Sequence, residues 1–187
     1  MMRDDSNDQS VIAETRAWIE RAVIGLELCP FTRPVYVSDR IRYRVSDAQS
    51  VDALLIDLKD ELRALQAADP QIVETTLLIH PRVLANFEAY NQFLDQAEAA
   101  VAQLALEGEL QIASFHPHYQ FDGTRADDLG NASNRAPYPT LHLLREASVE
   151  RAVQAFPDAD AIVENNLRTL ERLGAAGWAA LRSKWGG

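Results

Sequence analysis

The strongest constraint on the fold is an alternation of two hydrophobic periods along the chain. Short β-rich runs alternate with longer stripes of helical period, and such a chain buries strands against helices in layers. Ile41-Arg42-Tyr43-Arg44-Val45 alternates strictly, as a half-buried strand does. Val73 to Ile79 is mostly apolar, the pattern of a strand covered on both faces. Leu110 to Phe115 and Thr140 to Leu144 supply two further strands. Helical stripes lie between them. The first, over 11–27, carries Val11, Trp18, Ala22 and Leu26, and the second Val51, Leu54, Leu55, Leu58, Leu62 and Leu65. A third carries Phe87, Tyr90, Leu94, Ala97, Val101 and Leu104, with Gly108 where a helix C-cap would sit.

Prolines in Cys29-Pro30-Phe31 and at Pro34 are expected to stop the first helix. After the fourth strand, Ser148 caps a short helix ending near Phe156-Pro157, and Asp160 caps another that ends at Gly174. A last helix carries Trp178, Leu181 and Trp185. The order predicts an α/β or α+β fold. Its core is a small mixed, partly parallel sheet of about four strands, with helices packed on it and a long loop over one edge.

The length of 187 residues fits one domain, and 47% apolar with 25% charged residues is ordinary globular composition. Residues 1–9 are expected to be a disordered acidic tail, and 10–187 one globular domain. The net charge of −10 disfavours nucleic acid and anionic membrane surfaces as partners. No run approaches the length of a membrane helix, and the polar N-terminus lacks a signal-like apolar core. A lone cysteine forms no internal disulfide, and the expectation is a cytoplasmic protein.

Three of the four histidines follow predicted strands. They are His80 in Leu77-Leu78-Ile79-His80-Pro81, and His116 and His118 in Ser114-Phe115-His116-Pro117-His118. If those strands are parallel, His80 and His116 emerge at one carboxyl edge, where open α/β sheets bind ligands. Such histidines either satisfy backbone carbonyls at a strand end or share a site. As a site, His80, His116 and His118 are candidate catalytic residues and candidate ligands of a divalent metal such as zinc, nickel, manganese or iron. Further metal ligands would come from His142, Asp122, Asp127, Asp128 or Glu146. No established zinc-binding spacing is present.

The segment from His116 to Pro139 is long for a loop and carries Tyr119, Phe121 and Tyr138 among many polar residues, as an ordered functional loop does. Asn134, Arg135 and Arg145 are candidate substrate-binding residues, since an arginine's planar fork suits a carboxylate or phosphate. Cys29 follows a helix C-terminus, whose partial negative charge works against a thiolate. A buried structural thiol is expected there rather than a nucleophile.

Four segments carry a resemblance. They are Glu27-Leu28-Cys29-Pro30-Phe31, Glu74 through Pro81, Ser114-Phe115-His116-Pro117-His118-Tyr119-Gln120-Phe121, and Arg135-Ala136-Pro137-Tyr138-Pro139 continuing from His142 to Ser148. With these the chain resembles the bacterial family catalogued as domain of unknown function 1415, over nearly its whole length after the acidic tail. The resemblance implies a stand-alone protein of about this length. It implies no activity and no catalytic residue. The residues themselves favour a small-molecule enzyme of hydrolase or lyase type acting on an anionic metabolite. The alternatives are a non-catalytic metal or ligand-binding protein and a protein-interaction adaptor.

Overall fold

The computed structural model of the chain describes residues 5–155 and 159–185. The first helix, α1 (Asp5–Trp18), begins inside the segment expected to be a tail and widens into a π-helical turn over Ile19–Ile24. Ile19, Ala22, Val23 and Ile24 are buried there. A short helix, α2 (Thr32–Val37), follows, where the sequence predicts only a break. Pro34 is tolerated because it lies in the first turn, whose N–H groups have no intrahelical partner.

The alternating unit comes next: β1 (Ile41–Val45), α3 (Val51–Ala67), β2 (Thr75–Ile79), α4 (Phe87–Gln103) and β3 (Leu110–Phe115). Both long helices start on a side-chain cap. Ser50 accepts from the Ala53 N–H and Asn86 from the Ala89 N–H. Then follow β4 (Thr140–Arg145), α5 (Glu146–Ala155) and α6 (Ala159–Arg182). The helical run of α6 is broken at Gly174 (φ 67°, ψ 171°), where the sequence ends one helix and starts another. The expected stop at Phe156-Pro157 lies outside the described residues.

The four strands form one mixed sheet in the order β1-β2-β4-β3. β1 and β2 pair in parallel, while β4 runs antiparallel to both β2 and β3. β1, β2 and β3 therefore point the same way and share a carboxyl edge. α3 and α4 cover one face through Leu54, Leu58, Leu62, Leu65, Tyr90, Phe93 and Ala97 against Leu78, Leu141 and Leu143. On the other face Val11, Trp18, Ile19, Leu170, Trp178 and Trp185 pack with Ile41, Val45, Leu77 and Ile79. No helix among the described residues is long and apolar enough to cross a membrane.

The 116–139 segment is ordered from within, as its composition predicts. It contains a 3-10 helix over Leu129–Asn134. The buried Asn131 carboxamide accepts from the Phe121 N–H and the Thr124 hydroxyl and donates to the Arg125 carbonyl. The Arg125 N–H in turn donates to Asp128.

Candidate ligand-binding site

His80 and His116 emerge at the shared carboxyl edge, on the face covered by α4. Each ring lies against Tyr90, with centroids 5.7 and 5.0 Å away, and the Tyr90 hydroxyl donates to the Thr140 carbonyl. The ring nitrogens of both are largely committed. His80 Nδ1–H donates to the Val83 carbonyl at 3.0 Å, while Nε2 is buried without a partner among the described residues. Burial pushes the His80 pKa down to about 4. His116 Nε2–H donates to the Leu84 carbonyl at 3.1 Å, and its Nδ1 accepts the backbone N–H of His118 at 3.0 Å. Burial lowers the His116 pKa as well. The His118 ring is exposed, 5.9 Å from that of His116.

A metal needs an imidazole lone pair within reach. The Nδ1 lone pair of His116 is taken by a backbone N–H, and the Nε2 lone pair of His80 is sealed in the core. The donor set His80, His116 and His118 does not fit a metal. Among the described residues no group of three or more His, Cys, Asp or Glu side chains is placed to hold one. Instead these two histidines pin the turn between β2 and α4, satisfying the carbonyls of Val83 and Leu84.

The two arginines are also bound to backbone. Arg135 donates to the carbonyls of Tyr119 and Ala126 and so clamps the 116–139 segment. Arg145 Nη2 faces the carbonyls of Leu65, Ala68 and Val73 at 2.7, 2.8 and 3.2 Å, closing the C-terminal end of α3. Asn134 donates to the Ser114 carbonyl and accepts from the Ser133 hydroxyl. Of these three candidates, Asn134 and part of Arg145 border the cavity described next.

That cavity opens on the opposite face of the sheet, a cleft of about 1710 Å3. Trp18, Ile19 and Val23 form one wall, Leu28, Cys29 and Phe31 continue it, and α5 and α6 stand opposite with Val153, Val163 and Leu167. Thr75, Leu77, Ala113, Phe115, His142 and Leu144 make the floor. The register explains why these side chains meet. Leu77, His142 and Ala113 oppose one another across β2, β4 and β3, and directly opposed residues point to the same face. At the amino ends of β1 and β2 the cleft is closed by a polar cluster. There the buried Glu74 carboxylate accepts from Arg40 at 3.1 Å, Arg151 at 3.5 Å and the Ser148 hydroxyl.

His142 is the notable group on this floor. The Thr75 hydroxyl donates to the Leu143 carbonyl at 2.5 Å, so it must accept from His142 Nε2–H at 2.8 Å. That bond fixes the tautomer and leaves the lone pair on Nδ1. Nδ1 has no partner among the described residues and is not sealed from solvent. Burial lowers the His142 pKa to about 4, so the ring is neutral at ordinary pH. Cys29, expected to be buried, is half-buried at the cleft wall.

A family model described as "Protein of unknown function (DUF1415)" matches residues 10–180. The chain belongs to this family. No curated protein and no solved structure matches the chain. The DUF1415 match spans both the pinned turn at the carboxyl edge and all the cleft residues named above. Within it, sequence reasoning placed His142 in a strand but missed its use. The available signal was a polar residue amid Leu141, Leu143 and Leu144.

Proposed function

We propose that this DUF1415 protein binds a small, largely apolar molecule in the cleft over the sheet, with His142 as its polar anchor. The observation that carries the reading is the Nδ1 lone pair of a neutral, tautomer-fixed imidazole on a mostly apolar cleft floor. Ligand sites have this character, being concave and mostly apolar with a few placed polar groups. A net charge of −10 favours such a ligand over a polyanion. Binding is a better match to His142 than proton transfer, because a general base works best when it titrates near the operating pH. An imidazole held at about 4 accepts a hydrogen bond well and takes up a proton poorly.

The test uses N-phenyl-1-naphthylamine, an uncharged fluorescent probe with an apolar body and one N–H donor. The expected result is saturable fluorescence enhancement. Replacing Ala113 with Trp, which fills the floor beside His142, should abolish it. His142→Gln should weaken binding about fivefold, the worth of one modest hydrogen bond. Melting curves of both variants exclude unfolding as the cause. A non-saturating signal, or saturation untouched by Ala113→Trp, would overturn the reading.

A further inference from the structure

The cleft floor holds a second uncommitted polar group. Gln111 lies on β3 two residues before Ala113, and Ala113 pairs directly with His142. Gln111 and His142 are therefore diagonal neighbours on one face, with Cα atoms roughly 7–8 Å apart. The Gln111 side-chain carboxamide borders the cleft and has no hydrogen-bond partner among the described residues. Ala113, the smallest side chain of its row, leaves room above the floor between them.

Several of the other polar groups lining the cleft are engaged. The Thr75 hydroxyl both donates and accepts. Asn166 gives its amide N–H to the Leu28 carbonyl, and Asn134 and Ser133 bond to each other. Arg40 is held by Glu74 and Arg145 by three carbonyls. A ligand lying between them meets one group that only accepts, His142 Nδ1, and one that can donate as well as accept, the Gln111 carboxamide. Neither carries charge. A carboxylate has no proton to offer Nδ1. An ester or ether also lacks the donor. A hydroxyl would have to serve both groups from a single atom, although they stand a diagonal apart.

Building on the reading that the cleft binds a small apolar molecule, we infer that its ligand is an uncharged carboxamide or lactam on an apolar body. Its N–H points to His142 Nδ1 and its carbonyl to the Gln111 amide. The amide supplies donor and acceptor on separate atoms of one rigid planar group, the N–H for His142 and the carbonyl for Gln111.

The experiment is displacement of bound N-phenyl-1-naphthylamine by four naphthalenes of equal body: 2-naphthamide, methyl 2-naphthoate, 2-naphthoate and 2-naphthol. The expected order places 2-naphthamide first, displacing at about tenfold lower concentration than the methyl ester. Gln111→Leu should weaken 2-naphthamide and the methyl ester alike, by about fivefold, because both carbonyls lose the same N–H, and His142→Leu should erase the amide's advantage over the ester. Probe binding with the ester, carboxylate or naphthol equal to or better than the amide overturns this inference and spares the cleft. An amide affinity untouched by Gln111→Leu, or an amide advantage that survives His142→Leu, overturns it as well. Failure of the fluorescent probe to bind removes the cleft reading itself, and this inference with it.

Discussion

Replacing Arg145 with alanine separates a structural arginine from a ligand-binding one. Its Nη2 atom faces three backbone carbonyls, of Leu65, Ala68 and Val73. That nitrogen carries two hydrogens, so the three contacts amount to two full hydrogen bonds. Bonds from a charged donor contribute about 1.5–3 kcal/mol each, and water entering the vacated space restores part of that. The expected loss is about 3 kcal/mol. For a chain of this size that lowers the melting temperature by roughly 6–12 °C. Urea unfolding followed by circular dichroism measures the first figure and a thermal scan the second. Affinity for N-phenyl-1-naphthylamine, measured well below the melting temperature, should stay near the wild-type value. A variant of wild-type stability that no longer binds the probe would refute the argument and return Arg145 to the ligand site.

Two further outcomes follow from the histidines and the thiol. Folded His80 titrates at about 4 and the unfolded side chain near the reference of ~6.5, so the unfolded chain binds more protons in between. Stability should therefore fall as pH drops through that window, by on the order of 3 kcal/mol for His80. His80→Leu should remove that share and leave the parallel losses from His142, also held at about 4, and from His116, and a pH slope unchanged by the substitution would contradict the assignment. Cys29 at the cleft wall should react with a disulfide reagent severalfold more slowly once N-phenyl-1-naphthylamine saturates the protein, and an unchanged rate would place the probe elsewhere.

The elements that bury a stripe were legible from their period alone. Ile41 to Val45, the leucines of α3 and the Phe87–Val101 stripe of α4 each report their own environment, because the partner surface needs only to be apolar. α2 was not legible, because a proline in sequence signals a stop, and only the place of Pro34 in the first helical turn makes it harmless. The convergence of His80 and His116 was also legible, from strand ends followed by proline. Their employment was not. Whether a ring nitrogen meets substrate or a carbonyl depends on Val83 and Leu84, residues of a turn whose path no periodicity describes. His142 was hidden for a related reason. Its free nitrogen exists only because Thr75, 67 positions away, spends its proton on a backbone carbonyl.

The position of β4 bears on how the chain assembles during synthesis. β4 is the last strand made, yet it lies between β2 and β3. Until residues 140–145 leave the ribosome, the β1-α3-β2 unit and the α4-β3 unit each expose an unpaired strand edge, and nothing joins them into one sheet. A nascent chain stalled before Thr140 is therefore two sticky fragments, prone to pair with other chains. Release of the next half-dozen residues acts like a zip fastener, since Thr140 to Leu143 close both edges together and Leu144 and Arg145 finish the seam with β3.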